Sequence, residues 1–134
     1  MDTTLTTRAV AGTPRLLLRL EGLVLLAGAS WAFAHTGQPW WLYAVLFFVP
    51  DVSFAAYAAG PRLGSMAYNA LHSTIGPAIL GLIGLALGHS LLIGIAAVWA
   101  AHVGFDRMLG YGLKYATGFS DTHLGRIGLK SAGA

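Results

Sequence analysis

Eight basic residues, Arg8, Arg15, Arg19, Arg62, Arg107, Lys114, Arg126 and Lys130, are separated by four apolar stretches. Threading those stretches through a membrane leaves all eight on one side, the distribution that the positive-inside rule describes. No other feature of the chain constrains its fold as strongly. The stretches run from about Leu16 to Ala34, Trp40 to Ala59, Ser65 to Leu87 and Leu91 to Leu109. Each holds about 20 residues, enough for a helix to cross a hydrocarbon core of about 30 Å. A soluble four-helix bundle would need a polar face on every helix. Ala78–Ala86 and Leu91–Ala101 have none.

The expected fold is therefore all-α: a polytopic membrane protein with four transmembrane helices in a compact bundle. Residues 1–14 form a cytoplasmic N-terminal arm, 15–110 the four-helix transmembrane domain, and 111–134 a cytoplasmic tail or lid. The outer turns, 35–39 and 88–90, contain no Lys or Arg. Both termini are then cytoplasmic, and the expected location is the cell inner membrane. Trp40, Trp41 and Tyr43 fall where an interfacial aromatic belt belongs. Only 10% of residues are charged, against about 25% in a soluble domain. The net charge of +3 flanks apolar spans, so it suits anionic lipid headgroups rather than nucleic acid. The absence of cysteine excludes disulfides, thiolate metal sites and thiol catalysis.

Six polar residues remain inside the spans: Glu21, Asp51, Asn69, His72, His102 and Asp106. Such residues are costly in lipid and mark function by default. At 1.5 Å of rise per residue, Asp51 lies about 16 Å below the outer surface. Asn69 and His72 lie one to two turns above the inner one, and His102, Asp106 and Glu21 lie in the inner halves of their spans. All six thus share the cytoplasmic half of the bilayer. His102 and Asp106 are spaced i, i+4, and Asn69 and His72 are spaced i, i+3, so each pair shares a helix face. Tyr68 sits one turn below His72. Pro50 beside Asp51, and Gly76-Pro77 one turn beyond His72, mark irregular backbone of the kind that lines cavities. Gly76, Gly81, Gly84 and Gly88 form a small-residue stripe suited to close helix packing.

Two imidazoles with two carboxylates can hold a divalent transition metal. His72, His102, Asp106 and Asp51 are the expected catalytic residues and metal ligands. Glu21, Tyr68, Asn69, Arg107 and His123 are in support. A metal with an open position generates hydroxide near neutral pH. Without one, a His–Asp pair still serves as acid and base. The leading expectation is an enzyme acting on a lipophilic or amphipathic small molecule reached from the bilayer. A proton-coupled carrier is the alternative, since intramembrane Asp and His form proton relays. A structural or partner-binding protein, its polar residues merely tying helices together, is the second. A homodimer is expected, because four helices bury little by themselves. Arg107 is expected either to snorkel to phosphate or to anchor an anionic substrate.

Several of these residues fall in a longer pattern. It comprises Pro50-Asp51, the turn Gly60-Pro61-Arg62-Leu63-Gly64, Tyr68-Asn69 with His72, and the run from His102 through Gly104, Asp106-Arg107 and Gly110 to Tyr115. Phe119 and Thr122-His123-Leu124-Gly125 extend it. In these features the chain resembles the small integral membrane protein family defined as domain of unknown function 4260, from Arg15 to Gly128. The resemblance implies membrane residence and no particular chemistry. It also draws attention to Thr122-His123.

Overall fold

A computed structural model describes residues 10–113 and 121–126 of the chain. The N-terminal arm through residue 9, the segment with Lys114, Tyr115 and Phe119, and the last eight residues lie outside the described residues. The protein is all-helical and compact, with four segments long and apolar enough to span a membrane: Gly12–Ala34, Trp40–Ala59, Pro61–Leu87 and Ser90–Leu109. The first is one helix, α1 (Gly12–Ala34), and the last is α5 (Ser90–Leu109). The two between them are both broken.

The second span begins as α2 (Trp40–Leu46) and continues from Val49 to Ala59 as a 3₁₀ helix. Pro50 has no N–H to donate, so the α-helical ladder cannot pass through it. Beyond the break Asp51 N bonds Phe48 O at 3.1 Å, one residue tighter than an α-turn. The third span is split at Ser73-Thr74 into α3 (Pro61–His72) and α4 (Ile75–Leu87). Gly76-Pro77 is therefore not itself the break. Pro77 sits in the first turn of α4, where its missing N–H costs nothing because no earlier carbonyl awaits it.

Glycines set the turns. Gly60 at φ 115° delivers the chain to Pro61, the first residue of α3. Gly88 and Gly110 end α4 and α5 in the left-handed conformation. After Gly110, Tyr111 N turns back to bond Asp106 O at 2.7 Å.

Helix α5 is the centre of the bundle. In its most apolar stretch 44% of residues are buried, against 11–17% in the other spans. Helix α1 crosses it with almost no side chain between. A Cβ on Gly22 would lie 2.6 Å from Arg107 Cβ and 2.7 Å from Gly104 O, and one on Gly104 would lie 2.7 Å from Gly22 O. Helix α4 packs on α5 through two glycines of the expected stripe. Gly84 faces Leu92 and Ile93, and Gly76 leaves room for the Trp99 indole. Contacts of this kind replace the hydrophobic drive that helices lack in lipid. Outside, Leu16, Val24, Trp31, Val52, Ile79, Leu82 and Leu85 are exposed. So continuous an apolar surface suits acyl chains and not water.

The first and last described residues meet at one end of the bundle. Asp121–Thr122 and Gly125–Arg126 form a minimal antiparallel hairpin, β1 and β2, with Asp121 opposite Arg126. Val10 N bonds His123 O at 2.7 Å, and Arg15 Nε donates to Leu124 O. The tail thus folds back against the start of α1, and Leu124 is fully buried.

Candidate functional site

The broken spans bring Asp51, His72, His102 and Asp106 together at α5. Each offers one ligand atom, and the four atoms lie within 4.8 Å of one another. The two Nε2 atoms are 3.1 Å apart. Asp51 Oδ1 is 3.3 Å from each of them, and Asp106 Oδ2 is 3.5 Å from that of His72 and 3.3 Å from that of His102. The imidazoles are 1% and 2% exposed, Asp106 is 13% exposed and Asp51 35%. The carboxylate of Asp51 therefore forms the open edge of an otherwise enclosed group.

Backbone geometry explains the convergence. His102 and Asp106 share a face of α5 one turn apart. His72 ends α3. Its Nδ1 lies 2.9 Å from Tyr68 O. A carbonyl can only accept, so Nδ1 donates to it and Nε2 faces the site. This is the outer hydrogen bond that orients histidines on metals. Tyr68 also stacks its ring on that of His72, centroids 3.7 Å apart and planes within 7°. Phe47 meets the His102 ring edge-on at 5.1 Å. His102 Nδ1 is buried without a hydrogen bond, facing the Phe47 backbone short of bonding geometry.

The break beside His72 leaves carbonyls that α4 cannot reach. Two side chains of α5 satisfy them: Trp99 Nε1 donates to Leu71 O at 2.6 Å, and Arg107 donates an Nη2 hydrogen to His72 O at 3.0 Å. Unpaired backbone in lipid costs several kcal/mol by general estimates, so these two bonds are what make the break tolerable. Neither role was evident from sequence. Trp99 reads there as a packing residue. Arg107 is expected to snorkel to phosphate or to anchor an anionic substrate; among the described residues it bonds His72 O and Tyr111 O.

Of the other expected residues, Tyr68 adjoins the site as described. Asn69 is half-buried and is not one of the four. Glu21 is exposed on α1, beside Leu17, Leu20, Val24 and Leu25 in a shallow surface groove. Its neighbour Gly22 makes the crossing with α5, so the carboxylate faces away. His123 also stays apart: its Nδ1 accepts from Leu113 N at 2.8 Å, and its backbone N donates to Leu113 O at 3.0 Å. Burial, and then the nearby Arg107 charge, hold the His123 imidazole below its ordinary pKa.

Two cavities flank the centre. An apolar recess of about 150 Å³ is lined by Leu46, Val49, Pro50, Leu71, Ile95 and Trp99, of which Pro50 and Leu71 directly precede Asp51 and His72 in the chain. A wider groove of about 480 Å³ runs between α1 and α4 over α5 and contains no titratable side chain.

Two carboxylate oxygens and two imidazole nitrogens converge on one point, a donor set suited to a divalent cation. Ligands about 2.0–2.1 Å from a tetrahedral metal stand about 3.3–3.4 Å from one another. The five separations that involve an imidazole, 3.1–3.5 Å, bracket that edge. No curated protein and no solved structure matches the chain. The pattern that defines the domain of unknown function DUF4260 matches residues 15–127, and the chain belongs to that family.

Proposed function

We propose that the protein is a membrane-embedded, metal-dependent enzyme acting on a lipophilic small molecule, its centre in the cytoplasmic half of an inner-membrane bundle. His72, His102, Asp51 and Asp106 hold one divalent first-row ion. The observation that carries this reading is the convergence of two imidazole nitrogens and two carboxylate oxygens within 4.8 Å of one another. Two imidazoles and two carboxylates suit zinc, and equally iron or manganese. Asp51, the most exposed ligand, is the one whose displacement would admit water or substrate. An ion held by these four residues would supply a hydroxide nucleophile near neutral pH. The apolar recess supports an acyl or isoprenoid chain as the part of the substrate beside the metal. The basic ends of the spans support cytoplasmic termini.

The test is metal content by mass spectrometry on protein purified without a His tag or chelator, beside His72→Ala and His102→Ala. One equivalent of a transition metal in the wild type, absent from both variants, is the expected result. Incubation of the loaded protein with membrane lipid extract should then consume a lipid species, and Asp51→Ala should not. Folded wild type without metal removes this reading. The four groups would then serve as a proton relay, and flux in sealed vesicles would depend on Asp51 and a pH gradient.

A further inference from the structure

A second charged site lies at the end of the bundle where the described chain ends meet. Arg15 and Arg19 are one turn apart on α1, a spacing that sets like charges against each other. They turn toward the same point: the position a Cβ would take on Gly110 is 2.7 Å from Arg15 Nη2 and 3.8 Å from Arg19 Nε. Glycine at φ 88° leaves that position open. Each guanidinium spends its Nε on a backbone carbonyl, Arg15 on Leu124 O at 2.5 Å and Arg19 on Met108 O at 2.8 Å. Those bonds fix the planes of both groups. The Nη atoms of both arginines make no hydrogen bond or ion pair among the described residues, where every ion pair joins a histidine to an aspartate. Two half-buried cations, each oriented by its own Nε bond and without a carboxylate among the described residues, stand beside the Gly110 turn.

Paired forks match tetrahedral oxyanions. A guanidinium gives a phosphate two parallel N–H···O bonds, which an ammonium cannot do. We propose that Arg15 and Arg19 form a phosphate clamp, closed on one side by the Gly110 turn and on another by the Leu124 carbonyl of the hairpin. Its ligand is a phosphate mono- or diester, carried on a lipid headgroup or on a soluble molecule. Simple attraction between a basic surface and an anionic membrane would not need this geometry, because lysine would serve as well. The clamp is independent of the metal centre, whose ligands lie on α3, α5 and the 3₁₀ segment.

The test uses full-length protein, delipidated in detergent. Phosphatidylglycerol is titrated by native mass spectrometry and pyrophosphate by calorimetry, for wild type, Arg15→Lys/Arg19→Lys and Arg15→Gln/Arg19→Gln. The expected result is one molecule bound per chain and an affinity about tenfold lower in the lysine variant, with metal content unchanged. Binding of the lipid alone assigns the clamp to a headgroup, and binding of both probes to any accessible phosphate. Wild type that binds neither at one per chain overturns the proposal, even if the variants fail to fold. So does a folded lysine variant that binds as tightly as wild type.

Discussion

The two sides of α5 are held by opposite means. Toward α1 the contact is made by what is missing: Gly22 and Gly104 let two backbones touch, and both helices run unbroken. Toward α3 and the 3₁₀ segment the backbone is broken twice, and polar side chains of α5 fill the gaps. Trp99 and Arg107 answer stranded carbonyls there, while His102 and Asp106 complete the four-residue group. A regular helix leaves no room for four convergent ligands, because it spends its backbone on itself. The smooth side anchors α5, and the broken side uses that anchor to hold ligand atoms in place.

The contrast can be broken most severely at the crossing. Gly104→Val places side-chain atoms on the α1 backbone, which cannot yield as a side chain would. A loss of about 2–3 kcal/mol is expected, read as a lowered unfolding midpoint in detergent for both the apo and loaded protein. A midpoint equal to wild type would mean that α1 does not lie against α5 as described. On the other side, His72→Ala should leave the apo midpoint within a few degrees of wild type and abolish the rise on adding metal. For wild type at a hundredfold excess over Kd that rise is worth about 2.7 kcal/mol. Equal stabilisation of variant and wild type would separate the four-residue group from the metal.

Trp99→Phe keeps the ring and removes the donor to Leu71 O. The expected cost is about 1–2 kcal/mol, with weakened metal retention because the break beside His72 loosens. A neutral result would show that another donor reaches that carbonyl. The smallest effect belongs to the tail. His123 is docked neutral, below its ordinary pKa, so its contribution is fully present above about pH 6.5 and is lost as pH falls through the depressed value. Protection factors of the Val10 and Leu113 amides, corrected for the intrinsic pH dependence of exchange, should fall on acidification across that range in wild type, and His123→Gln should flatten the dependence. Protection that rises with acid would reverse the assignment.

Much of this was legible in the sequence, for identifiable reasons. Charge placement gave the spans, and depth along them put Asp51, His72, His102 and Asp106 in one layer. The i, i+4 spacing of His102 and Asp106 then fixed their common face. Pro50 announced the break before Asp51, since no helix can draw an N–H from it. The break at Ser73-Thr74 was misplaced to Gly76-Pro77, because a proline in a first turn looks the same in sequence as one in mid-helix. Glu21 was grouped with the site by its depth along α1, and depth does not tell which way a residue faces. The Gly22–Gly104 contact joins residues from opposite ends of the chain, and neither glycine belongs to a recognisable stripe. Trp99 and Arg107 could have been found only by asking which carbonyls a break near His72 would strand.

One consequence follows from the make-up of the four-residue group. With an ion bound as proposed, the ligands are two carboxylates and two neutral imidazoles, which sum to minus two. A doubly charged ion brings the total to zero, and in a poorly polarisable surrounding that balance matters more than it does in water. A singly charged ion leaves half of the excess, and a trivalent one overshoots by one. The enclosure thus selects by valence before it selects by element. An iron centre formed here would be held in its reduced state by the same balance, and its oxidation would be opposed unless a proton left with the electron.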